Sequence, residues 1–216
     1  MSPLPRIIDI TLPIGPATPP WPGDPGLTVG AAHTFASSGW HTSVLTLSAH
    51  TGTHVDAPGH MLPDGARLDA FGLERFVLPA VVAEAGPGPL VGADAVRRSG
   101  VRPGEALLLR TDNSARGLAD ASGAMRTDFT ALSPGAARAV VDAGASLLGI
   151  DGPSADPYGA AVPAHTLLMG AGVLIVESLA LALAPLGRHL LVCLPLRLPG
   201  VEASPVRAVL LEGAAG

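Results

Sequence analysis

Ser48-Ala-His50-Thr-Gly52-Thr-His54-Val-Asp56-Ala-Pro58-Gly59-His60 gathers three of the chain's seven histidines and one aspartate into eleven residues, spaced H-x3-H-x-D-x3-H. Imidazole and carboxylate are the ligands of divalent first-row metals, zinc above all. Each ligand atom must come within about 2.0–2.2 Å of the ion, so the spacing can be tested against backbone geometry. Ser43-Val-Leu-Thr-Leu-Ser-Ala49, just before, alternates apolar with hydroxyl residues and reads as a half-buried strand. On a strand His54 and Asp56 share a face, about 6–7 Å apart and within reach of one ion, whereas His50 is about 13 Å from His54 and too far. A helix would bring His50 and His54 together, but Thr51, Gly52, Thr53, Val55 and Pro58 oppose one. A bend at Gly52, where only glycine adopts unusual backbone angles at ease, is the remaining solution. Three unrelated histidines are the bland alternative. The crowding and the irregular Pro58-Gly59 loop argue against it, whereas His33, His41 and His189 are isolated and read as ordinary structural or surface residues.

A second half-site lies far downstream. His165 follows Pro163-Ala164, and Glu177 ends the apolar run Gly172-Val-Leu-Ile-Val176. A carboxylate closing such a run is expected to be partly buried and to need a cation. Arg188 or Arg197 is one candidate; a metal shared with His165 is the other.

Composition narrows the classes. The 216 residues are 48% hydrophobic and 14% charged, which excludes disorder over most of the length and suits one domain, 1–216. With 27 Gly, 22 Pro and 3% aromatics, short elements, tight turns and a Leu/Val/Ala core are expected. The net charge is −5, every basic residue is Arg, and no basic cluster exceeds Arg97-Arg98, so no nucleic-acid footprint is visible. The apolar stretch 167–186 carries Glu177 at its middle, which argues against a membrane span. Cys193 stands alone in an apolar run and Met1–Arg6 lacks a leader pattern, so a cytoplasmic protein is expected.

Strands are expected at 6–11, 43–49, 76–84, 106–111, 146–151, 172–177, 190–198 and 206–211. Helices are expected at 92–99 and at 133–143, where Ser133-Pro134 supplies a cap and a first-turn proline. Many strands against two or three short helices indicate α/β or α+β with a large mixed sheet. The Pro/Gly-rich stretch 12–26 reads as a loop in which Trp21-Pro-Gly-Asp24 holds a large aromatic, either for binding or as a lid on the domain edge.

The 48–60 segment resembles the signature of the metal-dependent cyclase family, which includes bacterial kynurenine formamidases and isatin hydrolases. The resemblance covers nearly the whole chain. It includes Trp21-Pro-Gly-Asp24, Leu108-Leu-Arg-Thr111, Gly149-Ile-Asp-Gly-Pro-Ser154, Asp156-Pro157 and Ser204-Pro-Val-Arg207. It implies a compact α/β domain around a mixed, barrel-like sheet with few short helices, assembled as a homodimer or homotetramer. It also implies two divalent ions, zinc or else manganese. His50, His54 and Asp56 would hold one, and Asp56 would bridge to a second completed by His165 and Glu177. His60 would donate and accept protons and Trp21 would contact a small aromatic amide substrate. Two departures bear on the substrate: Tyr158-Gly-Ala-Ala-Val-Pro-Ala164 replaces a more polar stretch, and Gly152 stands where a Thr is common.

The expected chemistry is attack by hydroxide, generated on the ions at neutral pH, on a polarised carbonyl, with His60 handing a proton to the departing amine. N-formyl-L-kynurenine plus water would give L-kynurenine and formate, with an unassigned arginine on the amino-acid carboxylate. Four alternatives stand beside it. They are opening of a cyclic amide such as isatin, or a biosynthetic cyclase step; a non-haem Fe(II) oxygenase on His54, Asp56 and His165; a serine hydrolase, for which Gly152-Pro-Ser154-Ala-Asp156 breaks the usual elbow; and a metal-stabilised binding protein without turnover.

Overall fold

A computed structural model describes residues 5–213; most of the N-terminal stretch read for a leader lies outside them, as do the last three residues. The strands, in chain order, are β1 (Ile7–Asp9), β2 (Thr28–His33), β3 (Thr42–Thr46), β4 (His54–Asp56), β5 (Val77–Glu84), β6 (Leu90–Val91), β7 (Ala106–Arg110), β8 (Ala131–Leu132), β9 (Leu147–Ile150), β10 (Leu174–Glu177), β11 (Gly187–Val192), β12 (Ala203–Pro205) and β13 (Val209–Leu211). The helices are α1 (Phe35–Ser38), α2 (Ala93–Ser99), α3 (Asn113–Arg116), α4 (Pro134–Asp142) and α5 (Pro163–Gly170), with three short 3-10 turns between β4 and β5.

Nine strands form one curled, half-barrel sheet in the order β1-β13-β11-β5-β7-β9-β10-β4-β12. The central run β5, β7, β9, β10 is parallel, and the flanking pairings are antiparallel. Parallel strands covered on both faces read as continuous apolar runs, which is why Leu107-Leu-Leu109 and Leu174-Ile-Val176 are legible in the sequence. Alternation divides them between two cores. Leu78, Val82, Leu108, Leu174 and Val176 pack inside the curl with Phe76, Leu191 and Leu210. Val81, Leu107, Leu109, Leu148 and Ile175 face the other way, against Val96 of α2, Val140 of α4 and Leu168 of α5.

Ser133 caps α4 as expected, its side chain accepting the Ala136 N–H. Cys193 is a free, buried thiol that burial pushes up to about 12. The expected strand at 190–198 ends at Val192, and that at 206–211 begins only at Val209. The stretch 167–186 divides among α5, β10 and loops, and among the described residues no helix is long and apolar enough to cross a membrane.

Two departures from expectation matter for function. The strand read as half-buried at 43–49 is β3, and it is exposed at every residue because its one strand partner is β2, in a hairpin separate from the main sheet. A helix was not expected at 163–170, yet His165 lies in the first turn of α5, after Pro163 at its first position. Pro163 followed by seven residues ending at Gly170 is the signal that would have found it.

Candidate metal centre

Pairing of β4 with β10 sets Val55 against Val176 inside the curl and His54 against Glu177 on the opposite face, with Asp56 opposite Ile175. Period-2 alternation thus delivers His54, Asp56 and Glu177 to the face that α5 covers, and α5 brings His165. The expected bend is present. Gly52 has φ +64, and a Cβ there would meet Ile14 Cγ1 at 2.8 Å. The turn swings His50 back so that its Nδ1 lies 2.9 Å from Asp56 Oδ1, while His54 Nε2 lies 3.4 Å from the same oxygen and 3.7 Å from Glu177 Oε2. His165 Nε2 is 3.1 Å from Glu177 Oε1. The His60 ring centroid is 4.2 Å from that of His50 and 6.0 Å from that of His165.

The imidazoles are held by their far nitrogens. His54 Nδ1–H donates to the Gly52 carbonyl at 2.8 Å, and His165 Nδ1–H to Asp156 Oδ2 at 2.7 Å. Each Nε2 lone pair is therefore free to face the carboxylates, the usual arrangement for a ligating histidine. Asp156 also accepts the Ala164 and His165 backbone N–H groups, and Glu177 Oε1 accepts the Ala155 N–H at 2.6 Å. Asp156 was quoted in the sequence as part of a motif; its grip on His165 was not foreseen.

Charge in the cluster is unbalanced. Burial disfavours the His54 imidazolium, but Asp56 and Glu177 outweigh it and push its pKa up to about 9. Burial opposes the His165 imidazolium as well, and Glu177 and Asp156 push it up to about 10. Burial raises the Asp56 carboxyl, yet His54 and His50 hold it well below the usual range. His60 moves the other way, lowered by burial with Asp56 as a partial offset. The carboxylates thus demand positive charge, which a proton or a metal ion can answer.

Asp56 supplies the test of fit. It is fully buried, and neither carboxylate oxygen accepts an aligned hydrogen bond from any described residue. A buried ionised carboxylate in that condition is costly unless it coordinates a cation. Ligand-capable atoms of His54, Asp56 and Glu177 lie within 4.8 Å of one another, as do those of His50, Asp56 and His60, so Asp56 belongs to both sets. This donor set fits a divalent metal. His60 sits close enough to be a ligand as well as a proton carrier.

His50, His54, His60, His165, Glu177 and Trp21 line one cavity of about 530 Å³. Trp21, 36% exposed, packs against Tyr158, which does not itself line the cavity, with ring centroids 5.6 Å apart. Ser48 ties the Trp21 loop to the ligand segment, donating to Asp24 Oδ2 at 2.9 Å and accepting the His50 N–H. Gly152 is explained locally, since a Cβ would lie 2.7 Å from Asn113 Nδ2. The arginine expected on a substrate carboxylate is not found, since none lines this cavity among the described residues; and Arg188, the alternative partner for Glu177, pairs with Glu105 instead. Of the isolated histidines, His33 and His41 lie in the exposed hairpin, and His189 is buried on the Pro185 carbonyl.

A family model described as "Putative cyclase" matches residues 8–157. The chain is 38% identical over 215 residues to a kynurenine formamidase of Salinibacter ruber (strain DSM 13855 / M31), covering 95% of this chain and 97% of that one. A solved structure of a potential metal-dependent hydrolase with cyclase activity superposes with a TM-score of 0.81 at 29% identity, covering 95% and 96% of the two chains. Isatin hydrolase A from Labrenzia aggregata, bound to benzyl benzoate, superposes at 0.82 with 25% identity, covering 95% and 93%.

Proposed function

Because the chain belongs to the cyclase family and is a metal-dependent hydrolase of C–N amide bonds, we propose that it hydrolyses aryl formamides, N-formyl-L-kynurenine plus water giving L-kynurenine and formate. The observation that carries this reading is Asp56, a buried carboxylate without aligned hydrogen bonds that belongs to two candidate donor sets, whose His50, His54, His60 and Glu177 line the cavity that Trp21 also lines. The 38% identical formamidase supports the choice of amide.

His50, His54 and Asp56 would hold one divalent ion, and Asp56, His165 and Glu177 a second, an allotment that divides the ligands differently from the tightest groupings, His50–Asp56–His60 and His54–Asp56–Glu177; zinc is the expected metal and manganese the alternative. When bound, such ions supply Lewis acidity, lowering the pKa of coordinated water towards about 7 and polarising a carbonyl oxygen. The protein's own groups do the rest. Gly52 and Asp156 fix the ring orientations of His54 and His165. Trp21 offers an aromatic face to the substrate ring. His60, beside His50 on the cavity wall, carries the proton that the departing arylamine nitrogen takes up as the C–N bond breaks.

Self-assembly belongs to the same reading, with the cytoplasm as its compartment. The β2–β3 hairpin and the connection between its strands expose Val29, Phe35, Trp40, Val44 and Leu45. A two-stranded ribbon is marginal alone, and a second copy of the chain is the cover that would make a homodimer or homotetramer.

Formate release from N-formyl-L-kynurenine by metal-quantified protein tests the function. Turnover should vanish with a chelator and return with zinc. Isatin opening with the formamide left intact would replace this reading by lactam hydrolysis, the reaction the isatin hydrolase neighbours suggest.

A further inference from the structure

The cavity's charged wall is one-sided. Besides the ligand cluster and its support Asp156, the charged residues lining it are Asp24 and Glu202, both carboxylates, and no Arg joins them among the described residues. The chain contains no Lys at all, and the exposed hairpin, residues 28–46, brings no Arg either. Glu202 is placed by the β12–β4 pairing that sets Ala203 against Asp56, and its Oε1 lies 3.6 Å from His50 Nε2. Asp24, in the same loop as Trp21, is fastened by Ser48. Arg67 approaches the outer oxygen of Glu202 at 3.7 Å but donates to the Gly59 carbonyl and does not line the cavity.

N-formylkynurenine carries both an ammonium and a carboxylate on the side chain ortho to its formamide. Apart from the ions themselves, the wall described here has acceptors for the first and no cationic side chain for the second among the described residues. A charge brought against like charges without a partner costs binding, and specificity follows from that repulsion as much as from attraction. We infer that Asp24 and Glu202 select aryl formamides by the charge of their tail, so that a cationic amine lacking the carboxylate is preferred to the amino acid, and the amino acid to a purely anionic tail. This rests on the formamidase reading for its chemistry. The formamide C–N bond breaks, the water oxygen ends on the formyl carbon as formate, and the nitrogen takes a proton and leaves as the arylamine.

The test uses zinc-loaded protein and three aryl formamides identical except in the tail: N-formyl-L-kynurenine, its decarboxylated amine, and the desamino acid. The kcat/KM values should fall in the order amine, amino acid, acid, with about tenfold or more between the ends. The spread should shrink with ionic strength, as partly exposed charges are screened. Glu202→Gln and Asp24→Asn should each compress the amine-to-acid ratio by about two- to fivefold, the range for partly exposed charge pairs. Calorimetric binding of the three product arylamines gives the same order independently of turnover. An acid that binds or reacts as well as the amine overturns the inference. If no formamide is cleaved yet the binding order holds, the formamidase reading falls and the charge selection stands.

Discussion

Asp156 Oδ2 lies 2.7 Å from Nδ1 of His165, and the same carboxylate accepts the backbone N–H groups of Ala164 and His165. One side chain thus caps the start of α5 and sets the tautomer of the histidine that α5 carries. Asp156→Asn keeps an oxygen for the backbone but weakens the hold on Nδ1–H. The expected result is a folded protein whose metal affinity at the His165–Glu177 half of the centre falls by about 10–100-fold. Competition against a chromophoric chelator reads this directly; an unchanged affinity would show that His165 is not a ligand.

His60 is the ambiguous member of the cluster, near enough to His50 and Asp56 to ligate. His60→Ala should retain its metal while turnover drops by about 10²–10⁴, the usual worth of a general acid–base group. Loss of metal together with activity, read by elemental analysis, would move His60 into the ligand set.

Gly52 turns the chain between His50 and His54 in a left-handed conformation, with Ile14 pressed against it. Gly52→Ala adds the left-handed strain of about 1–2 kcal/mol and a clash with Ile14. The melting temperature of the metal-free protein should fall by several degrees, at about 2–4 °C per kcal/mol for a chain this size. Metal binding should weaken as well. Wild-type stability with weak metal binding would separate the two effects.

How much of this was readable beforehand follows from burial. The His54/Asp56 pair was legible because strand parity puts both on one face, and β5, β7, β9 and β10 because each is apolar along its length. Glu177 stood out as a carboxylate ending such a run. The hairpin was misread because Ser43–Ala49 carries the alternation of a half-buried strand although β3 is exposed at every residue, while Thr28–His33 alternates nothing. Helix α5 was missed because Ala-His-Thr-Leu-Leu-Met suits either a helix or a loop until Pro163 and Gly170 are weighed. Glu202 could not be found from spacing, since its place depends on β12 pairing with β4 across most of the chain.

The hairpin makes assembly a measurable matter. Val44 is 53% and Leu45 61% exposed, on successive positions and hence on opposite faces of the ribbon. Leu45→Glu would bury an unpaired charge in any interface built on its face. Light scattering should report an oligomer for the wild type and a smaller species for the variant, with the cavity residues untouched. A wild-type monomer at micromolar concentration would refute the assembly.

Glu105 joins the sheet to the far end of the chain. It accepts from the Arg102 N–H and pairs with Arg188, whose other nitrogen donates to the Gly100 carbonyl. Burial raises the Glu105 carboxyl, but the Arg188 and Arg102 hydrogen bonds outweigh it and hold the group below its ordinary 4.5. A carboxyl lowered by folding adds stability that is complete above its unfolded value and disappears as pH falls through the folded one. Glu105→Gln should therefore cost about 1 kcal/mol at neutral pH, a modest sum because Arg188 is one-third exposed. The two stability curves should run parallel at neutral pH and draw together as pH falls below the ordinary carboxyl value of 4.5. Denaturant titrations of both proteins across that range decide it, and a gap that does not narrow at all in acid would mean that lost packing, not charge, separates them.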